Sequence, residues 1–245
     1  MTAIDAYFGN LTELLNRILT TQKEGMEAAA RQIANCFRKG GMVYTFGTGH
    51  GHLLALEIFY RAGGMARLCP ILDEKLMLHI SAAGSTQEER NEEWVSKLLE
   101  KYPIKAGDVL IAMSNSGRNA VPVLLADEAR KRGAYVIALT SLQHTQAVTS
   151  RNRLNLRLFE TADLVLDNGG ILGDASWQAA DGAMVGPTST AIGAAMLQSI
   201  VCRVKELSLA ENFEADYFKS SNVDGGDEWN DRLIERYKDQ IPGLL

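Results

Sequence analysis

Residues 42–51 read MVYTFGTGHG, an apolar run that ends in a glycine-rich turn. A continuous apolar run of this length is typical of a strand covered on both faces, because helices pack on both sides of a parallel sheet. Further apolar runs follow at residues 67–71, 109–113, 135–139 and 164–166, with stretches between them that are long enough for helices. This alternation predicts an α/β fold with a single, doubly wound, mostly parallel sheet of five strands.

Three helices are predicted between these strands, over residues 52–62, 88–101 and 119–132. The flavodoxin-like strand order 2-1-3-4-5 is common for such a sheet. In this order the first and third strands are neighbours, and their carboxyl ends flank the point where open α/β sheets bind ligands. We therefore expect a binding site where these two strands end.

The regions outside the sheet are predicted to be helical. Apolar residues at helical spacing over residues 4–39 predict one or two amphipathic helices, and the almost wholly apolar segment after Pro187 predicts a buried helix. We divide the chain into an N-terminal helical segment that packs on the domain or on a subunit interface (residues 1–40), a central α/β domain (41–211) and a C-terminal helical tail (212–245).

The composition is that of an ordinary globular chain. Of its 245 residues, 46% are hydrophobic and 22% are charged, and no apolar stretch approaches the roughly 18 residues of a membrane span. A net charge of −5 without a basic block argues against nucleic acid as a partner. The three widely spaced cysteines and the lack of a signal-peptide pattern predict a cytoplasmic protein with no membrane association.

Two predicted strands end in loops rich in glycine and hydroxyl groups. We call residues 47–51 the glycine loop and residues 114–119 the serine loop; each opens a predicted helix. Glycine lets a backbone approach a ligand closely, and hydroxyls and free helix amides donate hydrogen bonds to an anion. Neither loop has the lysine of a nucleotide-binding P-loop or the third glycine of a dinucleotide fingerprint. Together they predict a phosphate site, although tight strand–helix turns use the same residue types.

Three motifs in this order carry a resemblance to a known family. They are FGTGHG at residues 46–51, SNSGRN at 114–119 and PTST at 187–190. The set is similar to the sugar isomerase (SIS) domain of phosphosugar isomerases and phosphosugar-binding regulators, and the resemblance covers residues 36–203. It is strongest to a group of bacterial SIS proteins of about this length whose substrates are unassigned. The resemblance implies that residues 41–211 form a phosphosugar-binding domain whose ligand is a phosphorylated sugar.

The resemblance also implies which residues bind the ligand. In SIS proteins the loop after the third strand grips the sugar phosphate, the first loop adds backbone groups and a hydroxyl, and the start of the last long helix reaches the ligand. Carried onto this chain, these roles give the binding residues Gly47, Thr48, Gly49, Ser114, Ser116, Gly117, Asn119, Thr188, Ser189 and Thr190. We expect no metal and no cofactor.

Glu57 is the expected base, because related isomerases and etherases use a glutamate from the helix after the first loop. A shielded carboxylate suits removal of a proton beside a carbonyl, and an ion pair with Arg61 on the same helix face is the structural alternative. His50 and His144 are the expected proton shuttles. Phosphoheptose isomerases carry a histidine on the last long helix, where this chain has Gln198, which argues against zinc-assisted heptose chemistry.

The expected function is that of a sugar-phosphate isomerase, acting on an aldose–ketose pair or an amino-sugar phosphate by glutamate-mediated proton abstraction. Two alternatives stay open: an etherase- or deaminase-type lyase acting on an amino-sugar phosphate, and a phosphosugar sensor without catalysis. The helices at both ends of the chain predict self-association into a homodimer or homotetramer.

Overall fold

Five strands form one parallel sheet in the computed structural model, which describes residues 2–245. The strands are β1 (Val43–Gly47), β2 (Leu68–Pro70), β3 (Val109–Met113), β4 (Tyr135–Thr140) and β5 (Leu164–Asp167). Their order across the sheet is β2-β1-β3-β4-β5, and every neighbouring pair runs parallel. The predicted fold class and strand order are confirmed.

Helices surround this sheet, and a short antiparallel hairpin stands apart from it. The helices are α1 (Ala3–Thr21), α2 (Lys23–Arg38), α3 (Gly51–Glu57), α4 (Ala82–Glu88), α5 (Trp94–Lys101), α6 (Ala120–Lys131), α7 (Leu142–Gln146), α8 (Leu158–Thr161), α9 (Ser189–Ala210) and α10 (Gly226–Tyr237), with a 3₁₀ turn at Glu74–Leu76. The hairpin consists of β6 (Ala175–Gln178) and β7 (Met184–Pro187), and we use the name hairpin for residues 175–187. Within residues 2–245, no helix combines the length and the apolar character needed to cross a membrane.

Both faces of the sheet are buried, which explains why its strands are continuous apolar runs. On β3, Leu110 and Ala112 belong to the apolar cluster that includes α5, α6 and α10. Val109, Ile111 and Met113 belong to the cluster on the other face, which includes α1, α2 and α9. The doubly wound prediction requires helices on opposite sides of the sheet, and the two clusters hold them there.

Two helices differ from their predicted extent. The helix after β1 ends at Glu57, because the chain turns at Tyr60 (φ 38°) and the backbone then pairs with the C-terminal segment. The predicted helix over residues 88–101 is helical only from Trp94 to Lys101 (α5), apart from Glu88, which is the last residue of a separate helix, α4. Asn91 makes the break, since its side-chain oxygen accepts a hydrogen bond from the amide of Glu93 (3.1 Å) in a local turn.

Asp108 joins the amino ends of two central strands. Its side chain is almost fully buried, and its carboxylate accepts hydrogen bonds from the amide of Met42 (2.9 Å), directly before β1, and from the amide of Lys105 (3.0 Å), before β3. A hydrogen bond to a charged group contributes about 1.5–3 kcal/mol, and a buried amide left unpaired is costly. This carboxylate therefore fixes the start of β1 against the start of β3.

Asp108→Ala is expected to lower the free energy of unfolding by about 3 kcal/mol, because it leaves two amides without their acceptor. Chemical denaturation followed by circular dichroism measures this value. Asp231→Ala is the control, since Asp231 is exposed on α10 and its loss should change stability by no more than about 0.5 kcal/mol. Equal stability of the two variants would contradict the role given to Asp108.

Candidate functional site

A cavity of about 520 Å³ lies at the carboxyl ends of β1 and β3. The glycine loop and the serine loop both contribute to its wall, because the strands that they follow are neighbours in the sheet. The side chains that line it include Thr48, His50, Leu54, Glu89, Ser114, Ser116, Asn119, His144, Asp174, Met184, Val185, Ser189 and Thr190. The structure therefore brings most of the predicted binding residues to one place.

The glycine loop passes so close to its neighbours that side chains are excluded. A Cβ atom on Gly47 would lie 2.3 Å from the backbone of Gly51, and one on Gly51 would lie 2.9 Å from the carbonyl oxygen of Met113 at the end of β3. The start of α3 is thus held against the end of β3. The hydroxyl of the loop, Thr48 Oγ1, donates a hydrogen bond to the carboxylate of Glu89 (2.7 Å).

Gly117 gives the serine loop its shape. Its φ of 57° lies in the left-handed region, and its amide donates to Ser114 Oγ (3.2 Å). A Cβ atom at this position would lie 2.9 Å from Thr145 Oγ1 and 3.2 Å from Thr140 Oγ1. Glycine is therefore required here both by the backbone conformation and by the surrounding hydroxyls.

Glu89 places a carboxylate between the two loops. One of its oxygens accepts a hydrogen bond from Thr48, the other accepts from Asn119 Nδ2, and the side chain lines the cavity. Burial raises the pKa of Glu89, and the hydrogen bond from Thr48 opposes part of that rise. The sequence does not reveal Glu89 as a site residue, because the charged run EERNEE at residues 88–93 is typical of an exposed helix.

Three buried polar atoms around the serine loop lack a hydrogen-bond partner. Among residues 2–245, they are the side-chain atoms Asn119 Oδ1, His144 Nδ1 and Thr145 Oγ1. Asn119 and His144 line the cavity, and Thr145 packs against Gly117 of the serine loop. Buried polar groups are almost always paired, so the unpaired atoms of Asn119 and His144, whose side chains line the cavity, leave hydrogen-bonding capacity for a ligand or a water molecule.

The start of α9 is bound by an acidic side chain of the same chain. Asp174 accepts hydrogen bonds from the amides of Thr188 (3.2 Å) and Ser189 (3.0 Å) and from the Ser189 hydroxyl. A carboxylate is stabilised at a helix N-terminus by the helix dipole. Ser189 and Thr190 line the cavity, whereas Thr188 is buried and does not. An anionic ligand at the start of α9 would therefore compete with the Asp174 carboxylate for the Thr188 and Ser189 amides.

Glu57 lies outside the cavity. At the end of α3 its carboxylate pairs with Arg61 and accepts a hydrogen bond from Gln198 Nε2 (3.1 Å). Leu54, one turn earlier on α3, lines the cavity instead. The ion pair that the sequence offered as the structural alternative is present. The expected position of Glu57 in the cleft is not found within one chain, and its catalytic role stays a prediction.

The two predicted proton shuttles both line the cavity. His50 is exposed at the start of α3, and His144 is half-buried on α7. Burial lowers the pKa of His144; the Asp174 carboxylate opposes this shift, and the charge of Arg118 adds to it. The His144 imidazole is therefore neutral at pH 7, with one ring nitrogen that donates and one that accepts.

The hairpin forms an apolar part of the wall through Met184 and Val185. Its backbone is anchored to α1, since Tyr7 Oη donates to the carbonyl of Pro187 (2.9 Å) and the side-chain amide of α1's Asn10 donates to a β6 carbonyl (2.8 Å). The hairpin is not predicted from the sequence. The Asp-Gly pair in its turn, between two short apolar segments, is the signal that identifies such a hairpin.

The cavity wall carries carboxylates and imidazoles but, within the described part of the chain, no lysine or arginine. Residues 2–245 also contain no group of three or more His, Cys, Asp or Glu side chains arranged to hold a metal ion. An anion in this cavity would be held by hydroxyls, amides and helix N-termini.

Comparisons with known proteins agree with this geometry. Residues 6–141 match the model of the SIS domain. The UPF0309 protein lin2794 of Listeria innocua is 40% identical over 242 residues, which cover 98% of each chain.

Solved structures with this fold include an isomerase and a regulator domain. The phosphoheptose isomerase of Neisseria gonorrhoeae has a TM-score of 0.54 and 17% identity, and covers 83% of this chain and 97% of its own. The sugar isomerase domain of an RpiR transcription factor from Sphaerobacter thermophilus has a TM-score of 0.52 and 21% identity, with coverage of 86% and 96%. The fold, the matched model and the full-length relative together show that this chain belongs to the SIS domain family.

Proposed function

We propose that the cavity binds a sugar phosphate and that the protein isomerises it by moving a proton between neighbouring carbons. The unpaired buried atoms Asn119 Oδ1 and His144 Nδ1, on side chains that line the cavity, carry this proposal, because amide and imidazole groups around one cavity suit a phosphorylated sugar. The family supports it, since the solved structures with this fold include a phosphoheptose isomerase and a sugar isomerase domain.

The serine loop is the proposed phosphate end of the cavity. Ser114 and Ser116 offer hydroxyls, and the loop leads directly into α6, whose helix dipole favours a negative charge at this end. The glycine loop faces it from the neighbouring strand. Ser189 and Thr190, at the start of α9, are left to meet the sugar hydroxyls.

Glu89 is the proposed base. Proton abstraction beside a carbonyl is favoured by a carboxylate in a dry environment, because its raised pKa makes it a stronger base. Burial raises the pKa of Glu89. Hydrogen bonds from Thr48 and Asn119 hold its two oxygens in one orientation. The carboxylate of Glu57 pairs with Arg61 outside the cavity and does not meet these conditions.

His144 is the proposed proton carrier for the sugar oxygens. Glu89 removes the proton from the carbon beside the carbonyl, and the electron pair forms an enediol as the carbonyl oxygen takes a proton from the imidazole. Glu89 then returns its proton to the neighbouring carbon while the imidazole recovers one from the other oxygen. The unpaired Nδ1 of His144 and its neutral state suit this exchange. His50, which also lines the cavity, is the second candidate.

The two other functions differ from isomerisation in what they require of Glu89. A lyase acting on an amino-sugar phosphate uses the same proton abstraction and then expels a substituent. A sensor needs only to bind its ligand, and the similarity in fold to the sugar isomerase domain of a transcription factor supports this alternative. A carboxylate beside a bound phosphate weakens binding by like-charge repulsion, so its presence in the wall favours an enzyme.

Self-association in the cytoplasm also belongs to the proposed function. α1 leaves Ile4, Phe8, Leu15 and Leu19 exposed, at spacings that put all four on one side of the helix. An apolar stripe of this kind favours burial against a second copy, which is consistent with a homodimer or homotetramer.

Glu89→Gln is expected to slow the exchange of solvent deuterium into a sugar phosphate by about 10²–10⁴-fold, the usual effect of losing a general base. Proton NMR in D₂O with a panel of aldose and ketose phosphates measures the exchange. Glu57→Gln is the matched comparison, and it should leave exchange close to the wild-type rate.

If deuterium exchange continues in Glu89→Gln but is lost in Glu57→Gln, the base is Glu57 and not Glu89. Release of an acid or ammonia from an amino-sugar phosphate would identify the lyase. Thermal stabilisation by ligand without exchange or product in the wild-type protein would identify a sensor.

The raised pKa of Glu89 also predicts how stability depends on pH. Folding disfavours the ionised carboxylate, so its ionisation lowers stability as pH rises from the usual glutamate pKa of 4.5 through the higher folded-state value. Glu89→Gln cannot ionise, and its melting temperature relative to wild type should therefore increase from pH 4.5 to pH 8. A relative melting temperature that falls over this range would show that burial does not oppose ionisation of Glu89.

Gly117→Ala is expected to lower the free energy of unfolding by about 2–4 kcal/mol, combining a left-handed backbone with overpacking, and to weaken binding of inorganic phosphate. Gly40→Ala is the matched control, because Gly40 has a φ of 74° and no atom of the described chain within 4 Å of the added Cβ. The free energy of unfolding of Gly40→Ala should fall by only about 1–2 kcal/mol, and this variant should bind inorganic phosphate with wild-type affinity. Equal phosphate affinity in the two variants would contradict the role given to the serine loop.

A further inference from the structure

Three arginines that form no ion pair are carried by chain segments that meet at the serine loop. Arg118 belongs to the serine loop, Arg90 directly follows Glu89, and Arg151 lies in the segment between α7 and α8. Within residues 2–245, none of the three forms an ion pair with an aspartate or glutamate, and none lines the cavity. We call these three residues the arginine cluster.

Backbone hydrogen bonds hold the cluster in one place. The amide of Arg151 donates to the carbonyl of Arg118 (2.8 Å), and the amide of Val121, in the first turn of α6, donates to the carbonyl of Glu89 (3.0 Å). The segments that carry the three arginines therefore meet at the start of α6. The guanidinium of Arg118 is fixed as well, since it donates to the carbonyl (2.8 Å) and the hydroxyl (3.1 Å) of Thr149.

The charges of Arg90 and Arg151 act on Arg118. Burial lowers the pKa of Arg118, and the charges of Arg151 and Arg90 lower it further. By contrast, Arg153, the next arginine after Arg151 in the sequence, forms an ion pair with Glu92 at 2.8 Å. Arg118 therefore lies in the positive field of two other arginines without an ion pair of its own, and a bound oxyanion would offset the repulsion among them.

We propose that Arg90, Arg118 and Arg151 form a second anion site, separate from the cavity, that binds a phosphate-like oxyanion. Guanidinium groups suit this ligand because their N–H donors match the spacing of phosphate and carboxylate oxygens. The acidic residues Glu88 and Glu93 and the net charge of −5 disfavour an extended polyanion. The ligand is one small oxyanion, carried either by the molecule in the cavity or by a separate phosphorylated compound.

The arginine cluster also acts on the proposed base. The charges of Arg90 and Arg151 oppose the rise in the pKa of Glu89, so an oxyanion that neutralises them would raise that pKa further. Occupation of the second site would therefore move the pH dependence of proton abstraction to higher pH. This consequence rests on the proposed function, whereas binding of the oxyanion does not.

Calorimetric titration of inorganic phosphate into the full chain tests the site. Wild type is expected to bind two phosphates per chain, and the double variant Arg90→Gln/Arg151→Gln should lose one of them or bind it at least about tenfold more weakly. Arg132→Gln is the control, since it removes an exposed positive charge at the far end of α6. Ser116→Ala should affect the other phosphate, so failure of the proposed function can be distinguished from failure of the second site.

Two sugar phosphates distinguish the sources of the oxyanion. If the cavity ligand carries it, fructose 1,6-bisphosphate should bind at least about tenfold more tightly than fructose 6-phosphate to wild type, and this advantage should vanish in the double variant. If a separate compound carries it, the two sugars should bind alike while inorganic phosphate still binds beside them. Phosphate binding that is the same in wild type and the double variant, or that Arg132→Gln weakens equally, would overturn the proposal.

Discussion

The carboxylate of Glu89 is shared by the two loops that define the cavity. Thr48 of the glycine loop donates to one oxygen and Asn119 of the serine loop donates to the other. A partly buried carboxylate is stable only where donors replace the water that it has lost, and each loop supplies one such donor. The two loops follow different strands, yet they are tied through one side chain. The side chain that ties the loops together is therefore also the one whose pKa is raised by burial, although the hydrogen bond from Thr48 opposes part of that rise.

The first turn of α6 is where these features converge. The serine loop leads into it, its Val121 amide donates to the carbonyl of Glu89, and the segments that carry the arginine cluster meet there. A helix N-terminus favours negative charge, and so do the three unpaired arginines. Hydroxyls and amides face the cavity on one side of this turn, and guanidinium groups lie outside the cavity. The first turn of α6 therefore lies between the cavity and the arginine cluster.

The sheet and both loops could be predicted because their signals are local. Apolar runs mark buried strands, and glycines and serines at strand ends mark close backbone approach. The position of Glu89 in the cavity wall could not be predicted, since its hydrogen-bond partners Thr48 and Asn119 lie 41 and 30 residues away in the sequence. The surroundings of Glu57 could not be predicted for the same reason: α3 ends there, and Gln198 from a distant helix donates to its carboxylate. Long-range pairing, not residue type, decided which glutamate faces the cavity.

The attachment of the hairpin has a consequence for evolution. Tyr7 binds the backbone carbonyl of Pro187, and Asn10 binds that of Ser176, so α1 recognises the main chain of the hairpin rather than its side chains. Mutations that exchange Met184 or Val185 would therefore alter the apolar wall while the anchoring contacts persist. In this chain such a segment can change its side chains, and with them the ligand that the wall fits, at little risk to folding.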